Sequence, residues 1–219
     1  MIDLRDFCKP RGAMRLGVLD VKTGRRQPML VTRHGITGDT GWIKNMVVET
    51  GKEFMLDEIF NNSKWNSGSG ILGAAVGTST NTNDGIVGPS AGVDINVGDW
   101  FGVSEDDWHL TAEMARSSIS SKSRVDQTTT AVAIFADVQL AFDGNNICKL
   151  RECGIFLHAT TEPTNNPQVD PTQKPYAMVA RRVYYGTDDP VTPTKYVDRP
   201  FYKYKDGNPL LFEYRLTFG

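Results

Sequence analysis

Along much of this chain apolar residues alternate with polar or small ones, the period of a pleated strand with one covered face. Val132, Ile134, Ala136, Val138, Leu140 and Phe142 share one parity and are predicted to point into the core. Asp143-Gly144-Asn145-Asn146 follows with residues that tolerate positive φ. Ile147–Leu157 is then expected to return against the first strand, making Ala131–Leu157 a central hairpin. Leu210, Phe212, Tyr214, Leu216 and Phe218 alternate just as regularly at the end of the sequence. Met14–Val21 and Gln27–Thr32 flank Lys22-Thr23-Gly24-Arg25-Arg26 as a smaller hairpin. Ile71–Gly77, Trp108–Ile119 and Tyr176–Tyr185 are further strand segments, the last on its β-branched and aromatic content.

One stretch carries the helical spacing instead. Met55, Leu56, Ile59 and Phe60 recur at three to four residues behind Thr50 and Glu53, whose separation is that of a capping box. A short helix over about residues 51–61 is expected, ended by Asn61-Asn62. His34–Gly41, Thr160–Lys174 and Gly186–Pro200 are rich in Gly, Pro, Asn and Asp and are expected to be loops. Residues 1–13 form a basic N-terminal arm, and residues 14–219 form one domain with an acidic loop excursion over about 78–110. Strands separated by such loops, with one short helix, predict a mainly β fold: an antiparallel β-sandwich, jelly-roll-like, with long loops.

Charge changes this picture through its distribution, not its total. The 219 residues carry a formal charge of −2, which argues against direct nucleic-acid binding by phosphate neutralisation. Residues 1–35 hold eight basic side chains against three acidic ones, whereas residues 65–115 hold seven acidic side chains and no Lys or Arg. Cys8, Cys148 and Cys153 make an odd count without a CxxC pair, and reduced thiols are expected. No apolar run approaches the length of a membrane span, and the first residues lack the apolar centre of a secretion signal, so synthesis in a cytoplasm is expected.

Candidate chemistry is sparse. Gly88-Pro89-Ser90-Ala91-Gly92 has the G-x-S-x-G form of a nucleophile elbow, but the β-branched residues after it do not make the helix that motif requires. His34, His109 and His158 lack metal-ligand spacing, and Thr80–Ala91 fails as a calcium loop because Ala91 stands where a bidentate carboxylate is needed. Glu105-Asp106-Asp107 could help hold Ca²⁺; a solvated acidic turn is the simpler reading. Trp100, Phe101 and Trp108 lie close to Asp99, Glu105, Asp106 and Asp107, the pairing of aromatics and acids found in glycan clefts as well as in ordinary packed loops. No metal or cofactor is therefore expected. Glu152, Arg181 and Arg182 are charges inside strands that otherwise look buried, so Glu152 is expected to meet Arg116, Arg181 or Arg182 in a structural ion pair.

Several strings taken in order resemble a group of tailed-bacteriophage virion structural proteins. They are Ala75-Val76-Gly77-Thr78 with its Ser/Thr/Asn tract, Glu113–Arg116, the strand AVAIFADVQLAF, Arg151-Glu152-Cys153-Gly154-Ile155-Phe156, Met178-Val179-Ala180-Arg181 and Phe212–Phe218. The resemblance covers residues 70–219 and departs from the pattern in the acidic excursion 84–110 and at Cys153. It implies a non-enzymatic virion component with no catalytic residue, on the tail, neck-collar or adsorption apparatus. Its partners would be copies of itself in a ring and other virion proteins. A capsid decoration protein and a carbohydrate-binding or glycan-cleaving module are the alternatives. On this reading Arg5, Lys9, Arg11 and Arg15 of one copy face Asp99, Glu105, Asp106 and Asp107 of the next. The competing reading leaves both poles as solvated surfaces.

Overall fold

The structure, a computed structural model, describes residues 10–32, 35–48, 51–55, 71–78, 109–110, 112–159, 177–187 and 196–218. In chain order the strands are β1 (Pro10–Asp20), β2 (Arg25–Arg26), β3 (Leu30–Thr32), β4 (Gly35–Thr37), β5 (Ile43–Val47), β6 (Gly73–Gly77), β7 (Glu113–Val125) and β8 (Thr128–Phe135), followed by β9 (Ile147–Leu150), β10 (Glu152–Phe156), β11 (Met178–Val183), β12 (Tyr185–Thr187), β13 (Tyr196–Asp198), β14 (Phe201–Tyr204) and β15 (Leu210–Phe218). Residues 51–55 are helical, and the rest of the expected helix lies outside the described residues. So does nearly all of the acidic excursion.

The fold is mainly β with antiparallel, curled sheets. Nine strands run in the order β15-β8-β7-β6-β10-β11-β5-β1-β2, and β15 also pairs with β1. The ladder therefore returns to its start: eight antiparallel strands form a closed circuit of pairings. Two strands turn the corners. β5 pairs through Ile43–Asn45 with β1 and through Met46–Val47 with β11. β7 pairs through Glu113–Ser118 with β6 and through Ile119–Val125 with β8, and a register shift between Ile119 and Ser121 marks the bend. The layer β5-β1-β15-β8-β7 curls as a half-barrel.

Inside the circuit lie Met14, Leu16 and Val18 of β1, Leu210, Phe212 and Tyr214 of β15, Ala131, Ala133 and Phe135 of β8, and Cys153 and Ile155 of β10. A second cluster, Val48, Ala75, Leu110, Phe156 and Met178, covers the outer face of β6, β10 and β11. With apolar material on both faces, β6 and β10 are buried along their whole length. A separate sheet, β3-β4-β14-β9, contains the one parallel pairing among the described strands, β4 with β14.

Several expectations are corrected. His34–Gly41 and Gly186–Pro200, expected to be loops, contain β4 and, in the second case, the end of β12 and all of β13. The hairpin Ala131–Leu157 does not form, because β8 pairs with β7 and β15 while β9 and β10 join other strands. The core face of β8 has the opposite parity: Ala131, Ala133 and Phe135 are buried, Ile134 is 40% exposed, and Val138 is 92% exposed on a 3-10 turn, Asp137–Gln139. Pro10–Ala13, expected in the basic arm, are strand and pair with Arg215–Phe218, and the rest of the expected arm lies outside the described residues. The small hairpin is met only in its turn: Gly24, at φ +66°, lies between β1 and β2, which pair through Leu19–Asp20 and Arg25–Arg26, whereas Leu30–Thr32 of the expected return strand pairs with β4. The alternation at the end of the sequence is met, since β15 buries Leu210, Phe212 and Tyr214.

Candidate functional site

Glu152 and Arg181 are charged side chains buried together in the sheet. Glu152 stands opposite Gly77 and Arg181 opposite Gly154, so both project from the outer face of β10 and β11. Gly77 leaves the space that the Glu152 side chain fills: a Cβ there would come 2.7 Å from Glu152 Oε1 and 2.6 Å from the Ala112 carbonyl. Arg181 donates to Glu152 Oε2 through Nε at 3.1 Å and Nη2 at 2.5 Å, and the Ala112 amide donates to Oε1 at 2.7 Å. The pair is desolvated and fully engaged, the condition for ionised side chains under a sheet.

The other two expected partners of Glu152 are used elsewhere. Arg116 donates to Glu113 through Nε and Nη2 at 2.8 and 2.6 Å, and its guanidinium lies 3.8 Å from the centroid of the Phe156 ring. Arg182 donates to the Lys44 carbonyl at 3.2 Å. Arg15, expected to face a neighbouring copy, is held within its own chain. It donates to Asp39 through Nε at 2.8 Å and also through Nη2, and Glu213 joins the group through Arg26. Trp42 covers this network, with Arg215 at 4.0 Å from its ring centroid and Arg15 at 5.8 Å. Arg11 is exposed on β1. Arg5, Lys9, Asp99, Glu105, Asp106, Asp107, Ser90, His34, Trp100, Phe101 and Trp108 lie outside the described residues.

A second buried cation escaped the sequence reading. Lys203 of β14 has no solvent exposure; its Nζ donates to the Tyr204 carbonyl and lies 2.9 Å from both Asp206 Oδ1 and Asp137 Oδ1. Asp137 Oδ2 also accepts from the Gly207 amide, tying the 3-10 turn to the loop before β15. Partial burial alone would raise the Asp206 carboxyl, but hydrogen bonds from Lys203 and Asn208 outweigh it and hold the group below the ordinary 3.8. A carboxylate shifted down stabilises the fold above its unfolded pKa, and that contribution is lost as pH falls through the folded value. Lys203→Met should therefore lower stability at pH 7, with the gap to the parent closing below about pH 4 in urea melts. Equal gaps at both ends would show that Lys203 acts through packing alone.

The two described thiols are deeply buried. Cys148 and Cys153 are free and buried on different strands; the Cys153 thiol lies 3.5 Å from Met14 Sδ and 3.4 Å from the Tyr184 hydroxyl. Burial pushes the two thiols up to about 11 and about 12 respectively, so neither supplies thiolate near neutrality. Native protein at pH 8 should leave both unmodified by iodoacetamide, and urea should expose them, as read by peptide mass spectrometry. His109 Nδ1 contacts the Leu110 carbonyl at 2.5 Å, and His158 is half-buried. Among the described residues no three His, Cys, Asp or Glu side chains are placed to hold a metal, and no helix is long and apolar enough to cross a membrane.

Two open surface features remain. β3 is the end strand of its sheet and is exposed at all three positions; with Met29 it presents Met29, Leu30 and Val31 to solvent. On the outer face of the same sheet a groove of about 420 Å³ is lined by Thr32, Thr37, Asp143, Asn145, Ile147, Lys149, Tyr202 and Tyr204. No family model matches the chain, and no curated protein or solved structure is significantly similar to it.

Proposed function

We propose that the chain is a non-enzymatic structural component of a tailed-phage virion, working by symmetric assembly on the tail, neck-collar or adsorption apparatus. For this role we take the two curled layers as the faces of a jelly-roll-like sandwich stitched at both margins by β5 and β7. The observation that carries the proposal is the exposed apolar edge of β3. A strand edge offers a row of unpaired backbone donors and acceptors, and monomeric proteins blunt such edges with charge, proline or a covering element. Here the edge instead displays Met29, Leu30 and Val31, more than half exposed in each case. It lies in the basic part of the sequence, with Lys22 and Arg25 exposed nearby. Cover by an acidic neighbour would bury the apolar residues and compensate the cations together. The buried ion pairs and the buried Cys148 and Cys153 thiols support a rigid scaffold whose work is contact.

Sedimentation velocity and negative-stain microscopy of the purified chain test the proposal, with discrete symmetric rings as the expected result. Leu30→Lys together with Val31→Lys, at exposed positions, should give a folded monomer by circular dichroism. A truncation that tests the arm should stop at residue 9, because Pro10 onward is strand. A parent protein that remains monomeric at high concentration and does not enter particles would defeat the reading.

A further inference from the structure

We infer that the groove on the outer face of the β3-β4-β14-β9 sheet is a binding site for a neutral oligosaccharide. The inference does not depend on the proposed assembly. Its floor follows from strand register. Tyr202 and Tyr204 are two apart on β14 and so share a face, with Lys149 and Ile147 opposite them on β9 and Thr37 beside Tyr202 on β4. Gly35 fixes one of the rings: a Cβ there would fall 2.4 Å from Tyr202 Cε2, so the missing side chain lets that ring lie down against the sheet. Tyr204 is 49% exposed. Two aromatic surfaces stand side by side on a hydrogen-bonded, preorganised support.

The rim supplies the polar half. Asp143 Oδ1 is committed to its own turn, accepting from the Asn145 and Ile147 amides at 2.9 Å each. Its second oxygen, the side-chain amide of Asn145, the Lys149 ammonium, the Thr37 hydroxyl and the Tyr204 hydroxyl have no protein partner among the described residues. Unpaired donors and acceptors around an aromatic floor complement a pyranose, which carries hydroxyls at its edge and apolar C–H groups on its faces. The charge on the groove is balanced, one aspartate against one lysine. That gives no surplus cation for a phosphate or sulfate and argues against a nucleotide or an acidic glycan. A volume of about 420 Å³ falls within the range of small-ligand sites, and the open form suits a chain that continues past both ends.

Titration calorimetry and saturation-transfer NMR on the full chain test the site. The probes are maltohexaose, cellohexaose and chitohexaose, with a heparin hexasaccharide as the acidic comparison. At least one neutral hexasaccharide should bind, and Tyr204→Ala and Asn145→Ala should each weaken it tenfold or more. Both positions are on the surface, and an unchanged thermal midpoint would show that the variants remain folded. Absence of binding by all three neutral probes at 10 mM, stronger binding of heparin, or binding indifferent to both substitutions would each overturn the inference. Assembly into rings, read separately, leaves the inference standing or falling on the sugar alone.

Discussion

Glu152→Ala should destabilise the protein by about 3–5 kcal/mol, because it strands the Arg181 guanidinium without a counter-charge. For a chain of this length that lowers the thermal midpoint by roughly 10 °C. Three features set the size of the effect. Both side chains are essentially without exposure, so water cannot replace the lost partner. The carboxylate also accepts from the Ala112 amide, which would lose its acceptor. And Gly77 opposite offers no atoms to fill the gap. Glu152→Gln keeps the shape and one acceptor but removes the charge, and should fall between the parent and the alanine variant. Replacing both members, Glu152→Met with Arg181→Leu, should recover much of the loss, since an apolar pair of similar volume often equals a buried ion pair. A calorimetric double-mutant cycle checks all three, and near-additive losses would contradict the coupling.

Phe135→Ala should cost about 3–5 kcal/mol, while Ile134→Ala, one residue away, should cost well under about 1 kcal/mol. Phe135 has no exposed surface and packs with the inward residues of β15, including Leu210, its direct cross-strand partner. Ile134 faces outward, and Ala133 between the strands' large residues leaves room for Phe212. Val138→Ser, on the neighbouring turn, should be close to silent. Urea denaturation of the three variants measures the contrast. Reversed values would restore the register that bulk alone predicts.

That register shows where sequence reading runs out. In Leu210–Phe218 one parity is large and apolar while the other includes Glu213, Arg215 and Thr217, so the alternation identifies the inward side. In β8 both parities are apolar, Ala131-Ala133-Phe135 against Val132-Ile134, and a spacing of two cannot say which faces in. The interior selects the smaller residues because Phe212 and Tyr214 already occupy the space beside them. Asp137 breaks the strand after Phe135, and its reason is remote: the Lys203 ammonium and the Gly207 amide. The Glu152 pair was legible as a need for a partner, since a carboxylate in an apolar strand requires compensation. The choice among three arginines depended on cross-strand alignment. Lys203 was not legible because β14 is only four residues, Phe201–Tyr204, too short for its alternation to stand out, and its two carboxylate partners lie elsewhere in the sequence or past the strand's end. The groove was not legible at all, since its residues come from four separated segments and meet only through the pairing of β4, β14 and β9.

The zipper between β1 and β15, from Pro10 against Phe218 to Val18 against Leu210, bears on how quickly the chain matures. Each of these strands finds its mate only across a very long intervening stretch of polypeptide, so that flank of β1 stays bare until a large loop has closed, an entropic delay that slows the search. A molecule in which the two have not yet met exposes unpaired strand edges and apolar surface, and is a substrate for proteases and chaperones before it could ever become a building unit.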